Sequence, residues 1–336
     1  MVQGAHLVGS VPLSDAEAVF RTVSGSLGSR LRAMPDGETG PRSDWIAWQY
    51  AVMAATPGLE PVPAGDRGYL RRQLVRLDRG HRGEVHFGPL GYADAALASF
   101  ALFERLERDG VIPSGMRFQV SLPTPLAPVT VFVDLPDRAV VEPAYEAALL
   151  GELQRIAAGI PHDRLAVQWD VAAELGHLEG IWPAHFDDVE GGVLARLARL
   201  AEVVPAGATL GYHLCYGDFG HRHFVTPGDA GRLVRLANAV VRPRAPAWLH
   251  MPVPIGWTAP PAYAPLAALA LPAQTQVYLG LVHLADGVEG ARRRIALAER
   301  SVARFGVATE CGWGRRPRES VSELLRLHAE LAAPIR

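Results

Sequence analysis

Apolar residues in this chain gather in short runs, each followed by a stretch whose apolar positions recur three and four residues apart. The runs at 5–12 (AHLVGSVP), 30–38 (RLRAMPDGE), 117–123 (RFQVSLP), 165–171 (LAVQWDV), 209–215 (TLGYHLC), 247–253 (AWLHMPV), 276–283 (QVYLGLVH) and 307–313 (VATECGW) read as strands. Helices are predicted between them. LSDAEAVFRTVSGSLG opens with Ser14 at an N-cap position, and VVEPAYEAALLGELQRIAAG and GVEGARRRIALAERSVARF carry helical spacing. Strand then helix, eight times over, predicts an α/β fold with one (β/α)8 TIM barrel spanning 1–336. The alternative is a doubly wound open sheet, but no GxGxxG follows the first run. Residues 50–116 exceed one strand-to-helix connection and are expected to add a helical insertion over one end. The Pro-rich stretch 242–265 is expected to be loop and strand.

A barrel carries its chemistry at the C-terminal ends of its strands. Ser10, Glu38, Asp170, His213, Cys215, His250, His283, Glu310 and Cys311 all fall at or near such ends. Strands buried on both faces normally hold Val, Ile and Leu, so each ionisable group there calls for a partner or a function.

Composition narrows the classes. The chain has 336 residues, 49% hydrophobic and 20% charged, with a net charge of −2, which argues for a soluble globular protein without a nucleic-acid partner. Every basic residue is Arg, so lysine Schiff-base and phosphate-loop lysine chemistry are excluded. The start MVQGAHLVGSVPLS lacks the pattern of a secretory signal, and the two cysteines are expected to be reduced thiols in the cytoplasm. No apolar run approaches the ~20 residues of a membrane span, so no membrane association is expected.

The stretch GYHLCYGDFGHRH at 211–223 puts His213 and Cys215 two apart, on one face of a strand. Cys311, nearly a hundred residues later, ends the eighth strand and would converge on them over the barrel mouth. Thiolate and imidazole are zinc's preferred ligands, and three protein ligands with one open position make a catalytic zinc site. Spacing alone leaves a second reading balanced against this, with both cysteines as apolar filler and His213 bonded to a backbone carbonyl.

Several segments, in order, resemble the catalytic barrel of the cobalamin-independent methionine synthase family. YHLCY (212–216) and TECGWGRR (309–316) are similar to its two zinc-binding segments, and VGSVP (8–12) to its Gly-Ser-Phe-Pro. DGETG resembles its His-Gly-Glu, APVT (127–130) its Gly-Pro-Val-Thr, QWDVAAE its Gln-Ile-Asp-Glu-Pro, and GLVH (280–283) the segment of its strand-seven histidine. The resemblance spans the whole chain. It implies Zn2+ as cofactor, held by His213, Cys215 and Cys311. The family's fourth ligand, a glutamate, has no counterpart in WLHMPVP, where His250 stands nearest and Glu310 or water are the other candidates. The resemblance further implies a proton-transfer role for His283 and a clamp of Ser10, Glu38 and Asp170 on the amino group of a substrate. The family's second acid after the strand-four aspartate is missing, because Val171 follows Asp170; Glu174 is the possible replacement.

The implied function is zinc-dependent methyl or alkyl transfer to a small thiol, homocysteine or another. Two other classes stay open. One is a metal-free lyase or decarboxylase on a uroporphyrinogen-decarboxylase-like barrel, using Asp170 and His283. The other is a non-catalytic ligand-binding relative. The donor departs from the family, because Asp134 stands where the long members carry a folate-stacking tryptophan. An aspartate has no π-face and repels a polyglutamate tail, so a small alkylated metabolite or a methylated corrinoid protein is expected instead.

Overall fold

A computed structural model describes residues 2–62 and 73–335 of the chain. The strands are β1 (Ala33–Pro35), β2 (Leu59–Val62), β3 (Leu74–Leu77), β4 (Arg117–Pro123), β5 (Leu165–Val171), β6 (Thr209–Leu214), β7 (Trp248–Pro252), β8 (Gln276–Gly280) and β9 (Gly306–Val307). The α-helices are α1 (Ala16–Leu27), α2 (Gln49–Ala54), α3 (Tyr92–Arg108), α4 (Leu126–Phe132), α5 (Arg138–Gly159), α6 (Ala173–Leu178), α7 (Val189–Val203), α8 (Gly231–Val240), α9 (Pro260–Tyr263), α10 (Gly287–Ala298) and α11 (Ser320–Leu331). β1 and β4 to β9 pair in sequence order, all in parallel, in one curled seven-stranded sheet. Helices between consecutive strands cover its outer face, as parallel pairing requires.

Among the described residues the main sheet has seven strands and does not close, rather than the eight expected. The run at 5–12 makes only an isolated parallel bridge, Ala5 to Val307, beside one from Gln3 to Ala333. Its backbone does reach both sides of the seam: the Ala5 N–H donates to Arg30 O at 2.9 Å and the His6 N–H to Val307 O at 2.9 Å. The ladder stops there because side chains take the next carbonyls. Gln119 Nε2 donates to Leu7 O and Val8 O, each at 3.0 Å, and Gln168 Nε2 to Val8 O at 2.7 Å. A carbonyl held by an amide side chain is satisfied without a neighbouring strand.

Other boundaries shift for local reasons. The run 307–313 leaves the sheet after Val307 because Thr309 Oγ1 donates to Cys311 O at 2.7 Å and folds the chain into a turn. The N-cap of α1 is Asp15, whose Oδ1 accepts from the Ala18 N–H at 2.8 Å, while Ser14 donates its hydroxyl to Asp15. A carboxylate accepts that bond more strongly and favours the helix dipole. The stretch 50–116 is not purely helical. It holds the rest of α2, the antiparallel hairpin β2–β3 and α3; residues 63–72 of it lie outside the described residues. The hairpin docks on the chain after α4 through a Val75–Val133 bridge. In the Pro-rich stretch, 260–263 form the short helix α9. No helix among the described residues is long and apolar enough to cross a membrane.

The inner face of the sheet holds polar side chains in mutual contact. Gln168 Oε1 lies 2.8 Å from His6 Nε2 and 3.1 Å from Trp248 Nε1, so both nitrogens donate to one oxygen. The Trp248 indole lies across Gly211, where a Cβ would sit 2.0 Å from the ring. Glycine at that point on β6 is therefore a packing requirement, and it lets β7 deliver its next inward residue, His250, beside His213.

Candidate functional site

The alternation of β6 sends His213 and Cys215 to the same face while Leu214 points the other way. Cys311 arrives from the turn after β9. That turn is fixed by the Thr309 bond to Cys311 O and by Trp313 Nε1, which donates to Thr309 Oγ1 at 2.8 Å. One ligand atom each from His213, Cys215 and Cys311 lies within 4.8 Å of the others. Both cysteines are free thiols with sulfurs 3.7 Å apart, far beyond the about 2.05 Å of a disulfide.

The two sulfurs differ. Cys215 Sγ lies 3.7 Å from Cys311 Sγ and accepts from the Gly217 N–H at 3.2 Å. Against the opposing effect of burial, the Cys311 bond and the nearby His213 hold the Cys215 thiol well below its ordinary pKa. The contact with Cys215, with burial adding to it, raises the half-buried Cys311 well above. Burial works to lower His213, but the charge of Cys215 outweighs it and the imidazole stands above its usual value. His213 Nε2 is buried and has no hydrogen-bond partner. Two sulfurs and an unclaimed imidazole nitrogen are a donor set that fits zinc.

His250 sits outside this group of three. It pairs in register with His213, and its Nδ1 lies 2.6 Å from His213 Nδ1 while its Nε2 lies 2.9 Å from Thr309 O. Burial and the adjacent His213 hold its pKa well below the ordinary value.

A pocket opens over the sulfurs. Ser10, Glu38, Asp170, Asp218 and Arg315 give it polar groups, and Trp45, Ile46, Val131, Trp182, Phe219 and Phe224 form an apolar wall. Burial raises both Glu38 and Asp170, and the charge of Asp170 adds to the effect on Glu38; Asp170 reaches about 7. Two carboxyl groups in one buried pocket then hold a proton near neutrality, or share an ammonium ion. Glu38 has φ 46, in the left-handed region. Asp36 builds this turn, accepting from the Glu38 N–H at 2.9 Å, Arg42 Nη2 at 2.6 Å and Ser99 Oγ at 2.7 Å. Ser10 Oγ accepts from the Gly314 N–H at 3.1 Å, tying the first segment to the Cys311 turn.

His283 and Glu310 do not line this pocket. His283 Nε2 donates to Val253 O at 3.0 Å and its Nδ1 faces Glu310 Oε2 at 3.3 Å, while Glu310 Oε1 faces His223 Nε2 at 3.3 Å. Burial lowers His283 to about 4 and raises Glu310 to about 8. His221 pairs with Asp218 at 3.6 Å. Arg315 is bound to Asp44 at 2.6 Å. Asp134 caps a turn by accepting from the Leu135 N–H and stays outside the pocket. Trp48 packs on Tyr92 with centroids 4.7 Å apart, and Trp45 lines the pocket. Phe219 and Phe224 follow GYHLCY directly in the sequence, whereas Trp182 joins them only in the folded chain, 4.7 Å from the Phe224 ring.

No family model matches the chain, and no curated protein matches it. Among solved structures, one from Listeria monocytogenes described as a "putative vitamin-B12 independent methionine synthase" superposes with a TM-score of 0.59. It is 13% identical, over 98% of this chain and 96% of that one. At that identity the likeness is one of fold: the two chains share the curled parallel α/β architecture over nearly their whole lengths.

Glu174, in α6, is fully buried with neither carboxyl oxygen hydrogen-bonded, and it does not line the pocket. Burial pushes its pKa up to about 7. A carboxyl raised on folding costs nothing while both states are protonated, and progressively destabilises the fold as pH climbs from about 4.5 to 7. Glu174→Gln should therefore leave stability almost unchanged near pH 4 and raise it at pH 8, by up to roughly 3 kcal/mol. Denaturant melts across that range check this; a pH-independent difference would show that Glu174 ionises freely in the folded chain.

Proposed function

We propose that this chain is a zinc-dependent enzyme that transfers a methyl or alkyl group to a small thiol, on a barrel whose first strand position is taken by the segment around Ala5–Ser10. The observation that carries the reading is the convergence of Cys215, Cys311 and His213, whose Nε2 has no hydrogen-bond partner, within 4.8 Å of one another at a pocket that all three line. Zinc held by these three would supply a Lewis acid that keeps an incoming thiol deprotonated at neutral pH.

The chain's own residues do the rest. Glu38 and Asp170 receive the ammonium group of an amino-acid thiol such as homocysteine, exchanging a shared proton for a charge-assisted bond. Ser10 holds the backbone beside them against the Cys311 turn. The apolar wall excludes water from the sulfur and accommodates the alkyl end of the donor. His283 stands outside the pocket with its Nδ1 on Glu310 and its Nε2 on Val253 O, so its part in managing the proton of the departing group would run through Glu310. A reducing cytoplasm suits a site built from two free thiols. The donor is a small alkylated metabolite or a methylated corrinoid protein, because Asp134 offers no stacking surface to a folate ring.

A second reading has one observation in its favour. The near-neutral pKa of Asp170 suits proton transfer in a metal-free lyase. Metal content separates the two. Protein purified without chelator should carry about one zinc per chain, and Cys215→Ser or Cys311→Ser should lose most of it, since oxygen replaces a preferred sulfur. Full zinc in both variants would remove the site assignment, and a zinc-free wild type would favour the lyase.

Once a substrate pair is in hand, His283→Asn should keep its zinc and lose about 10²–10⁴ in rate, the range for a lost general acid or base. An unchanged rate would make the residue a packing element. Calorimetric titration of methyltetrahydrofolate triglutamate, with homocysteine present, should give no micromolar binding. Tight binding with methionine formed would restore a folate donor.

A further inference from the structure

Between His213 and the Cys311 turn lies His250, fully buried in the sheet, and both of its ring nitrogens are engaged. Resting on the metal reading above, we infer that His250 is a positioning residue that fixes the proton of His213 on Nδ1 and so reserves Nε2 for the metal. The logic is one of donors and acceptors. Thr309 O can only accept, so the His250 Nε2 that faces it at 2.9 Å carries a hydrogen. In a neutral imidazole the other nitrogen is then a bare acceptor. It faces His213 Nδ1 at 2.6 Å, so that nitrogen must bring the hydrogen. His213 Nε2 is left as the only ring atom of His213 able to bind a metal, and it is the buried atom without a partner.

The relay also joins the two halves of the site. It runs from His213 on β6, through His250 on β7, to the carbonyl of Thr309, whose hydroxyl grips Cys311 O at 2.7 Å. One side chain thus sets both the tautomer of the nitrogen ligand and the position of the turn bearing a sulfur ligand. Partners of this kind orient metal-bound imidazoles and raise their basicity. The assignment gives His250 a role without making it a fourth ligand, which leaves the remaining metal position open to the substrate thiol.

Two variants and two readouts test it. His250→Gln places an acceptor and a donor on one carbon, as the imidazole does, whereas His250→Leu removes both. In metal-free protein labelled with ¹⁵N-histidine, two-bond ¹H–¹⁵N correlations should show a proton on His213 Nδ1 in the wild type and in His250→Gln. A bare His213 Nδ1 in the wild type would overturn the relay. Cobalt(II) titrated against a competing chelator should bind His250→Leu about 10–100-fold more weakly than wild type, with His250→Gln recovering most of the loss. Equal cobalt affinity in wild type and His250→Leu would also overturn it. A wild type that takes up no cobalt defeats the metal reading instead, and the nitrogen correlations still decide the relay. If His250→Leu does not fold, the wild-type tautomer and the affinity of His250→Gln settle the matter.

Discussion

Parallel register across β5, β6 and β7 sets Asp170, His213 and His250 side by side in one row. All three are buried, with exposures of 5%, 2% and 0%. Polar groups out of reach of water must find partners within the protein, and much of the interior answers that demand. Gln168 donates to Asp170 at 2.9 Å and binds His6 and Trp248 with its oxygen. His250 passes its hydrogen to Thr309 O. After these bonds are made, His213 Nε2 remains without one, on a ring with a nitrogen within 4.8 Å of both sulfurs. The geometry of a donor site follows from satisfying everything around it.

The same burial shapes the electrostatics above the sulfurs. Carboxyl groups on this side of the sheet are pushed toward neutrality, Asp170 to about 7 and Glu310 to about 8. Groups with such values take up or release a proton without a large free-energy penalty at neutral pH. An apolar wall facing them keeps the local dielectric low, which strengthens both the thiolate–imidazole attraction and any bond to an incoming ammonium. Glu174, raised by burial to about 7, carries a cost in stability at neutral pH.

Much of this was legible in the sequence where one local pattern decides. The runs at 117–123 and 165–171 match β4 and β5 residue for residue. The segment at 5–12 has the same composition, yet its carbonyls are captured by Gln119, Ser121 and Gln168, whose positions depend on strands far along the chain. The hairpin β2–β3 escaped notice because each arm has only four residues. At the site, His213, Cys215 and Cys311 could be brought together from strand ends alone. The pairing of His250 with His213 could not, since it rests on a register between strands. Trp45, with a backbone φ of 50, lines the pocket, a placement its spacing from Trp48 does not reveal.

The central claim is that two sulfurs and one imidazole nitrogen form a metal site with a position left for a thiol. X-ray absorption at the zinc edge on the purified protein tests it most directly. The account predicts two sulfur scatterers at about 2.3 Å and a nitrogen at about 2.0–2.1 Å, with a third sulfur added when homocysteine or the true thiol is supplied. A shell of oxygen and nitrogen alone, or one that thiols leave unchanged, would contradict it.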